Sequence, residues 1–446
     1  MSATDVKPTD LTQRSVPPPE TPASTWRTVF QSTLFWVGLA FLVSFAVLFL
    51  RPVFLNNYDL KLYPNFPKMT PIGADLREYL TFSRALVTQG TPYIGQNYYP
   101  PFEAIFFLPW INLPPTQAYN LFTTLNFILF VLVTLLFPLL LGRKKQVNSL
   151  VTLIFVTGLF SYGLWFQLER GQYDLIVMLL CFGSLWLFHR RPRWRWLAYM
   201  LIIVAIQIKI YPAIFLITFV DDWKDWKANL RRWGLLLLAN AAALFVLGPA
   251  VFSQFIGRLL RQMGHPTFVT VVNHSINSFV TVYMNQLKDR FPWLPAYSGL
   301  IQASLLALFA IFFLLIWFQV YRRNLSGLNP YLILACTIGA MVIPSTSHDY
   351  KFAIFVAPVL LFFNALDLRA VPLSRSSLWS WIFQAGLVFL IALAYCVSLY
   401  VPDQKPLFLR SNFPPLMVIL IASAALMLLR ARWLDRSTQP DAFPDF

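Results

Sequence analysis

Along most of this chain, apolar runs, several of them roughly 17 to 25 residues long, alternate with short connections dense in arginine and lysine, a pattern no water-soluble fold tolerates. The longer runs can cross about 30 Å of hydrocarbon, where only a helix or a closed barrel satisfies its own backbone. The membrane is therefore the expected solvent. The runs are Ser32 to Leu50, Ala118 to Leu141, Val147 to Phe166, Tyr173 to Phe188, Trp233 to Phe252, Ala296 to Val320, Pro330 to Ile343, Phe352 to Leu366, Leu378 to Val401 and Pro414 to Leu429. With 57% of residues hydrophobic and 12% charged, the surface as well as the core has to be apolar.

The net charge of +16 is concentrated in connections: Arg143, Lys144 and Lys145; Arg190, Arg191, Arg193 and Arg195; Lys224, Lys227, Arg231 and Arg232; Arg322 and Arg323; and Arg430, Arg432 and Arg436. The positive-inside bias assigns these to the cytoplasm and accounts for the charge through membrane lipids, with no nucleic acid as partner. It also puts the loop after the first run, the Glu169 to Asp174 turn, the Ser253 to Trp293 segment and the turns Ser345 to Lys351 and Asp403 to Asn412 on the opposite side. The stretch Trp196 to Val220 has basic clusters at both ends and so enters and leaves on one side. Its middle, QIKIYP at Gln207 to Pro212, puts Lys209 beside a helix-breaking proline, as expected where two half-helices turn. The fold expected is an all-α polytopic membrane protein with about 12 transmembrane helical segments.

Residues 1–31, rich in Pro, Ser and Thr, read as a disordered cytoplasmic tail, and without a cleavage-site pattern the first run reads as a retained helix. Residues 32–431 form the transmembrane domain, 51–117 its first extracytoplasmic loop, and 432–446 a cytoplasmic tail. Within that loop Phe102 to Leu113 is too short to span and is bracketed by prolines, so it should lie at the interface. The three cysteines, Cys181, Cys336 and Cys396, sit in apolar segments without metal-like spacing and read as inert thiols.

Ionisable residues at membrane depth are costly and mark functional sites, Lys209 being the clearest case: it either pairs with a carboxylate or meets an incoming anion. Asp75 opens an amphipathic helix in the first loop and either caps it or faces a substrate; Glu78 lies one turn on and could pair with Arg77 or Arg84. NYYPPF, with Tyr99, sets aromatic rings at an interface. ERGQYD puts Arg170 and Gln172 in a turn, and VNHSINSF gathers Asn273, His274 and Asn277 as hydrogen-bonding groups suited to hydroxyl-rich ligands. PSTSHDYK breaks a span and collects His348, Tyr350 and Lys351, which suit an anion. Metal-like His pairs, a phosphate-binding glycine loop and a nucleophile elbow are all missing from the sequence.

The order of these elements, an early loop Asp, then YPP, then GQ between spans, Lys before Pro, Asn-x-Ser and a broken span ending in SHDY, resembles glycosyltransferase family 87 from about Ser32 to Leu366. The resemblance implies a GT-C-like fold and a mannosyltransferase-like enzyme, moving a hexose or pentose from a polyprenyl-phosphate-linked sugar donor to a lipid or glycan acceptor hydroxyl. It implies Asp75 as general base and Lys209 and His348 at the donor phosphate, with Arg170 and Lys351 nearby. Glu78, Tyr99, Gln172, Asn273, His274, Asn277 and Tyr350 are left for sugar and acceptor. The reaction it implies is inverting and needs no metal or cofactor, in a plasma membrane and on its extracytoplasmic face. A transporter or lipid flippase is the alternative, because broken helices with a midplane lysine also mark substrate pathways. The enzymatic reading requires Asp75 and Lys209 to converge on one cavity.

Overall fold

A computed structural model of the chain describes residues 73–137, 140, 155, 158–159, 161–264, 273–365 and 411–434. The expectations for residues 1–31, for Ser32 to Leu50, for Leu378 to Val401 and for most of the C-terminal tail fall outside these.

The described residues are helical, with one isolated antiparallel bridge between Asn273 and His348. In order they form α1 (Ala74–Gln89), α2 (Pro101–Phe106), α3 (Pro115–Val131), α4 (Tyr162–Arg170), α5 (Asp174–Arg190), α6 (Arg195–Ile208), α7 (Trp226–Ala243), α8 (Pro249–Gly264), α9 (Ile276–Leu287), α10 (Ser298–Arg322), α11 (Pro330–Val342), α12 (Val356–Ala365) and α13 (Phe413–Leu434). Local chemistry sets many of the boundaries. Proline at the first turn starts α2, α3 and α11, where its missing N–H costs nothing. Side chains of Ser161, Asp225, Ser275 and Asn329 cap α4, α7, α9 and α11.

Among the described residues two helices are long and apolar enough to cross a membrane, Pro115–Leu136 and Leu294–Arg322. A third span results if Gly163–Arg170 and Asp174–Arg190, bent by 112°, count as one. The two ends of the packing range are easy to see. Every residue of α11 is buried, placing it at the centre, whereas α10 leaves Leu300, Ile311 and Leu314 exposed as a hydrocarbon-facing helix would.

Two breaks shape the bundle. Expected on the sequence, α6 stops at Ile208, Lys209 is extended (φ −142°, ψ 134°), and a 3₁₀ segment follows over Tyr211–Thr218. Pro212 explains the position, since its ring would strike the carbonyl four residues back, at Ile208. The second break was not expected. The run Trp233 to Phe252, read as one span, is split between α7 and α8 at Gly248, whose φ is 89° and which precedes Pro249. A pre-proline glycine in that conformation cannot continue a helix.

The bend between α4 and α5 turns on Gly171, at φ 68°, where an added Cβ would lie 2.8 Å from the Leu76 side chain. Gly171→Ala combines left-handed strain with a clash and should destabilise the fold by about 2 kcal/mol. A lowered thermal unfolding midpoint of the purified protein in detergent checks this.

Candidate active site

The site is built where α1, the α4–α5 bend and the break after α6 meet. The backbone N–H of Gly73 donates to the Glu169 carbonyl at 2.8 Å, pinning the start of α1 against the end of α4. Gly73 serves as the N-cap without a side chain, so Asp75, in the first turn, does not cap the helix. Its carboxylate instead accepts from the Arg170 guanidinium through Oδ1 and from the Gln172 amide through Oδ2.

Gln172 then passes the connection on. Its Oε1 accepts from Lys209 Nζ at 3.0 Å, and Lys209 Nζ also donates to Asp174 Oδ2 at 2.7 Å. Ammonium only donates and carboxylate only accepts, so these two partners fix the orientation of the amide between them. Aromatic faces complete the surroundings of Lys209, with ring centroids of Tyr173, Tyr350 and Tyr99 at 4.2, 5.3 and 5.7 Å from Nζ. Asp75 and Lys209 thus converge through one side chain. The cluster is closed, Asp75 being 7% and Lys209 4% exposed.

The other expected residues divide into three groups. Tyr350 and Tyr99 belong to the cluster, the Tyr99 hydroxyl lying 3.2 Å from that of Tyr79. Lys351 sits at its edge, donating to the Thr346 carbonyl at 3.0 Å with its Nζ 5.1 Å from the Tyr211 ring centroid. His348 is at the same edge, 5.8 Å from Tyr350 between ring centroids. Burial pulls its imidazole down to about 4, with Asp349 pulling it back up. At neutral pH His348 is therefore an uncharged hydrogen-bonding group rather than the cation the sequence suggested.

Asn273 and His274 form a second network that shapes this loop. Asn273 donates to the Ser345 carbonyl at 2.8 Å and accepts from the Ser347 N–H at 2.9 Å. His274 Nδ1 accepts from the Asn412 N–H at 3.0 Å, so its proton sits on Nε2, which donates to Asp349 Oδ1 at 2.5 Å. These side chains hold the SHDY segment against α9 and α13. Two residues remain. Asn277 stands apart from the cluster, accepting from Gln302 on α10 at 3.1 Å. Glu78 lies on α1 at the margin of the cluster, its carboxyl pushed up by partial burial and by Asp75 and pulled down by Arg170. Glu78 forms no ion pair with Arg77 or Arg84, and Arg84 donates instead to the Ile111 carbonyl.

Three site residues were missed on the sequence. Asp174 and Tyr173 belong to ERGQYD, and a buried partner for Lys209 was needed from somewhere nearby. Glu103 is the acid within the apolar run after Pro101, the same signal that drew attention to Lys209. It is fully buried on α2, accepts from the Tyr173 hydroxyl at 3.3 Å through Oε1, and leaves Oε2 without a partner. Among the described residues no three His, Cys, Asp or Glu side chains gather as a metal would need.

The sequence profile of glycosyltransferase family 87 matches residues 97–345. That is more than half of the chain, and the chain belongs to glycosyltransferase family 87. The match includes Arg170, Gln172, Asp174 and Lys209, while Asp75, His348, Tyr350 and Lys351 lie outside it. Among solved structures, ArnT from Cupriavidus metallidurans in the apo state is similar at 14% identity, over 88% of this chain and 76% of that one, with a TM-score of 0.38. At that score the likeness carries no argument here. No curated protein matches the chain. The apolar helices and the family together define a membrane glycosyltransferase.

Burial pushes the Glu103 carboxyl up to about 8, against the opposing pull of Lys209 and of the Tyr173 hydroxyl. The folded state therefore holds a proton that the unfolded chain releases near pH 4.5, and the wild type loses stability from there up to about pH 8. Glu103→Gln should be more thermostable than wild type at pH 7 to 8, with the gain vanishing toward about pH 4, in unfolding scans across that range.

Proposed function

We propose that this chain moves a sugar from a polyprenyl-phosphate donor to a lipid or glycan hydroxyl, in a GT-C-like fold at the extracytoplasmic face of a plasma membrane. The observation that carries the reading is the joining of a carboxylate and an ammonium through Gln172. The reaction needs those two chemistries within one substrate's reach of each other. Family membership favours an enzyme over a transporter or flippase.

Asp75 is the base. As the acceptor oxygen bonds to the anomeric carbon, its proton passes to the Asp75 carboxylate and the bond from that carbon to the phosphate oxygen breaks, its electron pair leaving with polyprenyl phosphate. One carboxylate and a single displacement invert the anomeric configuration. Lys209 and Arg170 supply positive charge to the departing phosphate, Lys351, pulled down to about 7 by burial, adds to it when protonated, and neutral His348 gives a hydrogen bond. A monophosphate leaving group is manageable with such side chains, so the reading includes no metal or cofactor. Tyr99, Tyr350 and Gln172 are the sugar contacts it favours, with mannose as the first sugar to test; Glu78, Asn273, His274 and Asn277 belong to its outer parts.

The resting cluster has two cations and two anions already paired, Arg170 with Asp75 and Lys209 with Asp174. A phosphate entering there has to draw at least one cation from its carboxylate, and if that cation is Arg170 the Asp75 carboxylate is freed to face the acceptor hydroxyl.

Purified protein incubated with several polyprenyl-phosphate sugars should consume one of them. Asp75→Asn should slow that transfer by about 10²- to 10⁴-fold in a protein that still folds, with a lowered unfolding midpoint because Arg170 loses its counter-ion. Transfer retained by the variant would remove the base from the scheme, and no donor consumed by the wild type would remove the scheme itself.

A further inference from the structure

Far from the cluster, the tip joining α5 to α6 holds a cavity of about 410 Å³, lined by Trp186, Leu187, Arg191, Arg193, Trp194 and Leu197. Pro192 starts the 3₁₀ turn Pro192–Trp194 that makes the tip, fixing where the two arginines stand. Asp174 opens α5 and Arg190 closes it, and at 1.5 Å per residue this puts the tip about 25 Å along the bundle from the cluster. We propose that this cavity binds the headgroup of an anionic phospholipid.

The arginines carry the argument. The Arg191 guanidinium lies 5.6 Å from the ring centroid of Trp186, and that of Arg193 lies 5.7 Å from the ring centroid of Trp194. An indole face steadies the guanidinium plane while leaving its N–H edges open for oxygen acceptors. Neither arginine forms an ion pair among the described residues. The contrast is close at hand, since Arg195 and Arg232 are both drawn to Asp221. Positive charge at the tip is compensated on one side and left open on the side that holds the cavity.

The rest of the lining fits a lipid rather than a free ion. Leu187 and Leu197 form apolar walls, and Trp196 and Met200, one and three positions from Leu197 on α6, are 56% and 54% exposed. Leu197 and Met200 are three residues apart and so share a face of α6, along which an acyl chain can run. A phosphate diester meets the two guanidiniums at the top of that strip, and a net negative headgroup is preferred because no carboxylate among the described residues pairs with them.

The test uses the full chain in nanodiscs of phosphatidylcholine containing a minority of phosphatidylglycerol, followed by native mass spectrometry of retained lipid. The wild type should keep phosphatidylglycerol in preference to phosphatidylcholine. Arg191→Ala with Arg193→Ala should weaken that preference roughly tenfold or more. Lys224→Ala with Lys227→Ala removes the same charge from the next basic connection and should leave it unchanged. Equal loss in both pairs would reduce the effect to general surface charge, and full retention by the arginine pair would overturn the site. Displacement of the lipid by millimolar inorganic phosphate alone would show a site for the free ion instead, overturning the lipid assignment. Should the double alanine variant not fold, Arg191→Gln with Arg193→Gln keeps the side-chain bulk, and the same outcomes decide.

Discussion

Lys209 lies at the point where Pro212 stops α6, almost wholly removed from solvent, and an ammonium there is tolerable only if its charge and all its donors are met. That demand reaches across the bundle. Asp174 has to arrive from α5 and Gln172 from the bend before it, with three tyrosine faces closing round the stem. Once Gln172 has turned its oxygen to the ammonium, its nitrogen can only face an acceptor, and Asp75 on α1 is that acceptor. One buried cation thus fixes the relative positions of three separate parts of the chain.

The second network does comparable work with neutral groups. Asn273 and His274 stitch the loop after α11 to α9 and to the start of α13, and the loop in turn brings Tyr350 and Lys351 to the cluster. Residues that look like ligand-binding polars in a one-dimensional reading are here occupied with backbone groups. Their influence on a substrate passes through the loop they hold.

Much of this was legible because it rests on local signals. Pro212 four residues beyond Ile208 placed the break in α6, glycine and charge marked the 169–174 turn, and the prolines round Phe102 marked a short helix. Asp75 and Lys209 stood out because charge is rare in such a sequence. What escaped was pairing at a distance. Whether Asp75 capped its own helix or faced a partner 95 positions away depends on how α1 packs, which no periodicity encodes. Glu103 was lost in an apolar run whose hydrophobicity drew the eye to its length. The split at Gly248 was a different kind of miss, since a glycine followed by proline was there to be read and the apolar pattern ran straight through it.

At the sharp bend, the carbonyl end of α4 and the amide end of α5 come to the same small region. Arg170 stands in the last turn of the first and Asp174 in the first turn of the second, so each meets the helix end whose partial charge it complements. The groups proposed to handle a substrate are thus also fastenings of the scaffold. Evolution cannot retune the chemistry at this corner without disturbing the hinge that presents it, and variation in what such an enzyme accepts should arise in the surrounding loops rather than here.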